Sequence, residues 1–412
     1  MPLPRRRLLL LLPPLLLLAY FYHRPPPQIY SFGRGILDAE LASLHAAPAA
    51  APPELTGSIY PPGKVDGKGE GNYSVTVVVP RLKSEDVSWL DLVPGVKKAV
   101  YVVDAPEGEK LGRDEHRVLK NKGREAMAYL TYILDNYEVG FPDIVVFTHA
   151  SRFAWHNNDA LHGDVVEMLK LIRRRRVVRE GYVNLRCQWY PGCPGWLRPV
   201  ENAGGGGGDG GGEKGEEGYV AGAWGEMFPG ERVPEVLGQA CCAQFAVSGE
   251  RLKMVERGRY EGIRDWLLKT ELEDGVSGRV LEYAWQWVWR GVGVYCPGMH
   301  ECYCDGYGLC WEDEGSFQKW FEMRYYVRRD EWELLAWGVI ETGREEWLRM
   351  GEGRKAGSLP RPEKGKVEEV KKRVEDGWKW LDYEREKALK RGEDPRVRAR
   401  MAGRVWREGD GF

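Results

Sequence analysis

Hydrophobic positions change their spacing several times along the chain. Val75 to Val79 is an unbroken β-branched run ending at Pro80-Arg81, the pattern of a strand buried on both faces. Ser84 to Leu90 has the composition of a helix start, with Ser84 as its cap. Val100 to Val103 predicts a second strand, closing on Asp104. Met127, Leu130, Ile133, Leu134 and Tyr137 then recur at helical spacing, which predicts a helix over 126–137. After Phe141-Pro142-Asp143, Ile144 to Phe147 predicts a third strand closing on Thr148-His149. Strand, helix, strand, helix, strand at this spacing points to an α/β domain with a parallel sheet, Rossmann-like or GT-A-like. Ligands bind such sheets beyond the carboxyl ends of the strands, which here carry Arg81, Asp104 and His149.

Outside this block the character changes. Arg5, Arg6 and Arg7 precede an apolar run from Leu8 to Tyr22, the pattern of a secretory signal or signal-anchor. Bulky Tyr20, Phe21 and Tyr22 suit a membrane interface better than a cleavage site. The expectation is a single-pass type II anchor at 1–22 that places the remainder in the secretory-pathway lumen, Golgi or ER. Residues 23–70 are rich in Pro, Ala and Gly and read as a stem; 71–310 form the α/β domain. A glycine tract, Gly204 to Gly212, sits in an insertion at 203–218 and lacks the Gly-Lys-Ser/Thr ending of a phosphate loop. From 311 to 412 the chain is a charged helical tail whose charge runs read as a solvated face.

Composition narrows the partners. With 60 Lys+Arg against 62 Asp+Glu the net charge is −2, which argues against a nucleic-acid binder. A mean hydropathy of −0.49 describes a soluble chain only by averaging over the apolar N-terminus. The eight cysteines cluster at 187/193, 241/242 and 296–310. In a lumenal chain they read first as disulfides, with 105 possible pairings. The alternative is a zinc knuckle using His300, whose spacings match no C-x2-C pair. Asn72-Tyr73-Ser74 is a glycosylation sequon, useful only in the lumen.

The densest polar stretch runs from His149 through Ser151, Arg152, Trp155, His156, Asn157 and Asn158 to Asp159. Imidazoles with a carboxylate suit acid/base work or a transition metal, and an Arg suits a phosphate. Asn121-Lys122-Gly123-Arg124-Glu125 opens a helix, where free N–H groups and two cations attract an anion. Adjacent Cys241 and Cys242 read as disulfide members before nucleophiles. Ser277 reads as a helix cap and Glu282, one turn inside an apolar helix, as a base with a raised pKa or an arginine partner. Trp285, Trp287 and Trp289 are core or surface aromatics first and a sugar-lining set second.

Several of these strings carry a family resemblance. Glu85 to Leu90, Asn121 to Ala126 with Tyr129 to Ile133, and Trp155 to Asp159 resemble the fungal family called domain of unknown function 3431. So do Gly181 to Cys187, Cys241 to Ser248 and Ser277 to Tyr283, so that the resemblance spans 73–310 in order. Gln286 stands where members often have His, and the glycine tract looks like an insertion. The anchor and strand–helix order are also similar to Golgi glycosyltransferases, an analogy that does not settle chemistry.

The leading expectation is therefore a lumenal glycosyltransferase-like enzyme using a nucleotide sugar, with or without a divalent cation, and a carbohydrate or glycoprotein acceptor. Arg81, Arg124, Asn121 and Arg152 would hold phosphates, Asp104 a ribose or base, and Asp159 or Glu282 would act as base beside His149 and His156. No Asp-x-Asp follows the third strand. The alternatives are a non-catalytic, disulfide-stabilised binding module of the lumen or cell surface, and a metal-dependent hydrolase built on His149 and His156.

Overall fold

A computed structural model of the 412-residue chain describes residues 27–46, 53–203 and 216–412. The apolar run Leu8–Tyr22 and the glycine tract lie outside the described residues. No helix among the described residues is long and apolar enough to cross a membrane.

The chain divides into two compact units, Met1–His45 with Gly315–Glu386, and Ala46–Glu314 with Lys387–Phe412. The first is an antiparallel arrangement of helices. Helix Lys366–Arg391 lies against Glu314–Arg349, with Trp320 Nε1 donating to the Leu381 carbonyl at 2.9 Å and Arg373 paired to Asp330 at 2.8 Å. The region expected to be a stem contains helix Pro27–Ala46, whose Leu37 and Leu44 are buried. Glu40 and Asp38 on it meet Arg324 and Tyr325. Two apolar positions two turns apart are enough to seat a helix that composition alone reads as linker. The C-terminal stretch Lys387–Phe412 packs with the α/β unit instead of continuing the charged tail.

The second unit is mixed α/β. Its six-stranded sheet runs β3-β2-β1-β4-β7-β5, from β1 (Val75–Arg81), β2 (Lys97–Val102), β3 (Glu115–His116), β4 (Ile144–Phe147), β5 (Tyr182–Asn184) and β7 (Phe245–Ser248). β1, β2, β3 and β4 are mutually parallel; β7 runs antiparallel to both β4 and β5. A separate parallel pair joins β6 (Gly238–Gln239) to β8 (Val294–Tyr295). The β-branched run of β1 is buried on both faces, as its sequence predicts: Val77, Val78 and Val79 have no exposed surface.

The predicted 126–137 helix is α1 (Ala126–Asn136). Its entry turns through left-handed backbone at Gly123 (φ 70°) and Arg124 (φ 53°). A side chain at 123 would come within 2.5 Å of Leu267, so the turn needs glycine for space as well as for φ. The helix expected after Ser84 is only a 3-10 turn, Ser88–Leu92. Asp86 accepts from the Ser88 N–H and hydroxyl, drawing the backbone into a local turn that competes with helix. Ser277 does not cap α2 (Asp274–Glu282); it lies within the first turn, its hydroxyl donating to the Glu273 carbonyl.

The core under the sheet is aromatic. Trp285 and Trp289 on α3 (Trp285–Arg290) stack at 5.2 Å and meet Phe147, Tyr182 and Phe245. Both are fully buried, and Trp287 donates its Nε1–H to Glu231, so none of the three lines a sugar site.

All eight cysteines form disulfides: Cys187–Cys302, Cys193–Cys296, Cys241–Cys242 and Cys304–Cys310. The zinc-knuckle alternative fails on this pairing, and His300 instead meets Glu314 at 3.3 Å. Cys187–Cys302 links the end of β5 to α4 (Met299–Tyr307) across 115 residues. Loop entropy makes such a link worth about 4–5 kcal/mol. Replacing both cysteines with alanine should lower the unfolding free energy by about 4 kcal/mol. Cys241→Ala/Cys242→Ala closes no loop and should cost far less. Denaturant titration of the two variants checks the ranking, and equal losses would contradict it.

Candidate functional site

The chain runs outward from β1 through β2 to β3, then returns by α1 to β4 on the other side of β1. That reversal leaves a crevice between the carboxyl ends of β1 and β4, where ligands of open α/β sheets bind. β1 and β2 end level, Arg81 opposite Val102, whereas β4 ends earlier, Phe147 opposite Val78, so that Thr148 and His149 run beside the last residues of β1. A pocket of about 920 Å³ opens at this point. Its walls include Arg81, Glu85, Asn121, Arg124, Glu125, His149, Trp155, His156, Trp196, Glu216, Cys241, Cys242, Asp274, Arg279 and Glu282.

His149 follows β4 directly, and its Nδ1 lies 3.0 Å from His156 Nε2. Burial, then the His156 and Arg124 charges, hold the His149 imidazole down to about 3. Burial and Arg186 hold His156 to about 4. Both are neutral at physiological pH, so one ring donates to the other. The pair is positioned by buried amides. Gln244 accepts from the Thr148 hydroxyl at 2.6 Å and the His149 N–H at 3.3 Å, while its own amide donates to Asn157 at 3.0 Å. Asn158 donates to the Leu185 carbonyl and accepts from Cys187 N–H, fixing the loop to the end of β5. Arg186 donates to the Trp155 and Tyr190 carbonyls and sits 5.3 Å from the Trp155 ring. Trp155 itself is 60% exposed.

Facing the histidines are two carboxyls held partly uncharged. Burial, reinforced by the Glu282 charge, pushes Glu125 up to about 8. Burial also raises Glu282, against a 2.6 Å bond from the Cys242 N–H to its Oε1. That bond favours the anion and opposes the rise that burial imposes on Glu282. Cys242 presents its N–H from left-handed backbone (φ 89°), followed by Ala243 at φ 49°. Strained backbone of this kind concentrates at functional sites. Among the described residues Arg124 makes no side-chain ion pair; its backbone N–H donates to Asp274 at 3.1 Å, and its side chain lies along the start of α2 beside Gly275 and Gly278. Arg279 pairs with Glu216 at 3.3 Å with half its side chain exposed.

Six of the nine residues expected from the sequence meet in this pocket: Arg81, Asn121, Arg124, His149, His156 and Glu282. Arg81 contributes wall more than charge, since its guanidinium is held by Glu115 at 2.6 Å and by the Glu85 carbonyl. Three do not line it. Asp104 accepts from the Lys83 N–H at 2.8 Å, and Arg152 is a bidentate partner of buried Asp164. Asp159 begins the short turn Asp159–Leu161. Each lies near a strand end in sequence but is used to fold its own loop. Glu125 was legible as the residue beside Arg124 at a helix start. Trp196, Glu216, Asp274 and Arg279 carry no local signal, because they arrive from distant segments.

Fold and site together define a disulfide-stabilised α/β protein with an acid/base pocket at the reversal of its sheet. Residues 77–305 match the family described as Protein of unknown function (DUF3431), and the chain belongs to that family. No curated protein and no solved structure matches it.

Glu125 supplies a pH test. In the fold it keeps its proton to about pH 8, whereas in the unfolded chain a glutamate loses it near pH 4.3. Between these values the fold binds more protons, so this group's contribution to stability falls as pH rises. The histidines act oppositely, losing stability as pH drops below about 6.5, but they are common to both proteins compared. Glu125→Gln should therefore gain stability relative to wild type from pH 5 to pH 8. A difference that stays flat across that range would show that Glu125 ionises normally.

Proposed function

We propose that the pocket is the glycosyl-transfer site of a lumenal enzyme that uses a nucleotide sugar. The observation that carries the reading is the meeting, at the sheet reversal, of the Arg124 guanidinium with two carboxyls, Glu125 and Glu282, that burial raises. Arg124 would take the diphosphate, its fork donating two parallel bonds, with the positive end of α1 adjacent. Glu282, its Oε1 oriented by the Cys242 N–H, would accept the proton of the acceptor hydroxyl as that oxygen attacks the sugar carbon. Glu125 carries a proton that can be donated toward the departing phosphate. The exposed face of Trp155 and the Trp196 wall suit the apolar faces of sugar or base. The neutral His149–His156 pair can hydrogen-bond hydroxyls without adding charge.

A divalent cation is not required by this scheme. Among the described residues one group of three metal-donor side chains lies within mutual reach, Cys241, Cys242 and Glu282, and its two sulfurs are bonded to each other. Arg124 and Arg279 would supply the positive charge instead.

The test is thermal-shift screening against nucleoside diphosphate sugars with and without manganese, followed by turnover of the stabilising donor. Arg124→Ala should weaken donor binding by about 10- to 100-fold, the worth of a charged hydrogen bond. Glu282→Gln should leave donor binding in place and lower kcat by about 10²- to 10⁴-fold. Stabilisation by free carbohydrate with no turnover of any donor would establish the non-catalytic binding module instead.

A further inference from the structure

Cys241 and Cys242 are neighbours in sequence, bonded to each other, and form part of the pocket wall. The two bonds across 115 and 103 residues hold distant segments together; this one holds none. Its fold-stabilising value is therefore small, yet it is kept at the expense of left-handed backbone at Cys242 and Ala243. Cys242 is partly exposed to the pocket, so a small reductant can reach it.

One donor atom from each of Cys241, Cys242 and Glu282 lies within 4.8 Å of the others. Donors on a tetrahedral zinc ion stand roughly 3.5–3.8 Å apart, from bond lengths near 2.3 Å to sulfur and 2.0–2.2 Å to oxygen. The three are thus about an ångström from ligating spacing once the sulfurs are free to separate. Beside them the His149 ring meets the Cys242 backbone as a hydrogen-bond partner.

We infer that the Cys241–Cys242 bond masks a soft-metal site, and that its reduction opens a two-thiolate, one-carboxylate zinc site facing the pocket. With a phosphine reductant the balance is complete. The disulfide takes two electrons and two protons, the phosphine becomes its oxide with oxygen from water, and zinc then displaces the two thiol protons. Three protein ligands leave a fourth position for water, for a ligand, or for His149 after a small shift. The site is independent of any sugar, so its failure would leave the glycosyl-transfer reading untouched, and the reverse holds too.

The experiment uses the full chain, reduced with tris(2-carboxyethyl)phosphine without oxygen, freed of reductant and dialysed against zinc. Reduced wild type should hold one zinc per chain more than reduced Cys241→Ser/Cys242→Ser, and Glu282→Gln should lose that zinc at lower competing chelator. Oxidised wild type should hold none at this site. Iodoacetamide labelling mapped by peptide mass gives a second reading in the unaltered chain, useful if the double variant does not fold. Zinc should shield Cys241 and Cys242 from alkylation. Equal zinc in the reduced wild type and double variant, or alkylation of the pair unaffected by zinc, would overturn the inference.

Discussion

Burying a side-chain amide costs free energy unless all its hydrogen bonds are replaced, and Gln244 turns that requirement into a clamp. Its carbonyl takes the Thr148 hydroxyl and the His149 N–H at the end of β4, while its amide reaches Asn157 in the following loop. Gln244 lies between the Cys241–Cys242 bond and β7, so one residue ties three walls of the pocket. Asn157 and Asn158 continue the network to Gly163 and to the end of β5. The Trp155 to Asp159 string is thus mainly scaffold, with Trp155 and His156 left to face the cavity.

The same economy governs the charges. The α/β unit buries several arginines, and each is answered: Arg176 and Arg179 by Asp305, Arg290 by Glu180 and the Tyr182 carbonyl, Arg251 by the Trp289 and Pro61 carbonyls. Against that background Arg124 is a pocket cation with no side-chain ion pair among the described residues. The carboxyls Glu125 and Glu282 in the same pocket are raised by burial. Such an arrangement costs stability and is the usual mark of a place built for chemistry.

Local pattern was informative where burial is decided locally. The β-branched run of β1, the helical period of α1 and the short apolar run of β4 each declare in sequence the faces they bury. Strand ends are also legible, which is why Arg81 and His149 were found. Local pattern misled where a polar side chain had two possible uses. Arg152 and Asp104 have the right chemistry near strand ends, but neighbouring groups at 164 and 83 take them up. Whether a carboxylate or guanidinium is used up by a fold partner depends on distances between segments, which spacing along the chain does not encode.

The sequence by itself determined the mostly parallel sheet, the aromatic core and the commitment of the cysteines to disulfides, because periodicity and residue type settle what must be buried or bonded. It also carried the family. Tertiary structure alone decided which cysteines pair, that Glu125 faces Glu282, and that Trp196, Glu216 and Arg279 join the histidines. Those residues come from separate segments of the chain, and the reversal of the sheet between β1 and β4 brings their side chains to one place.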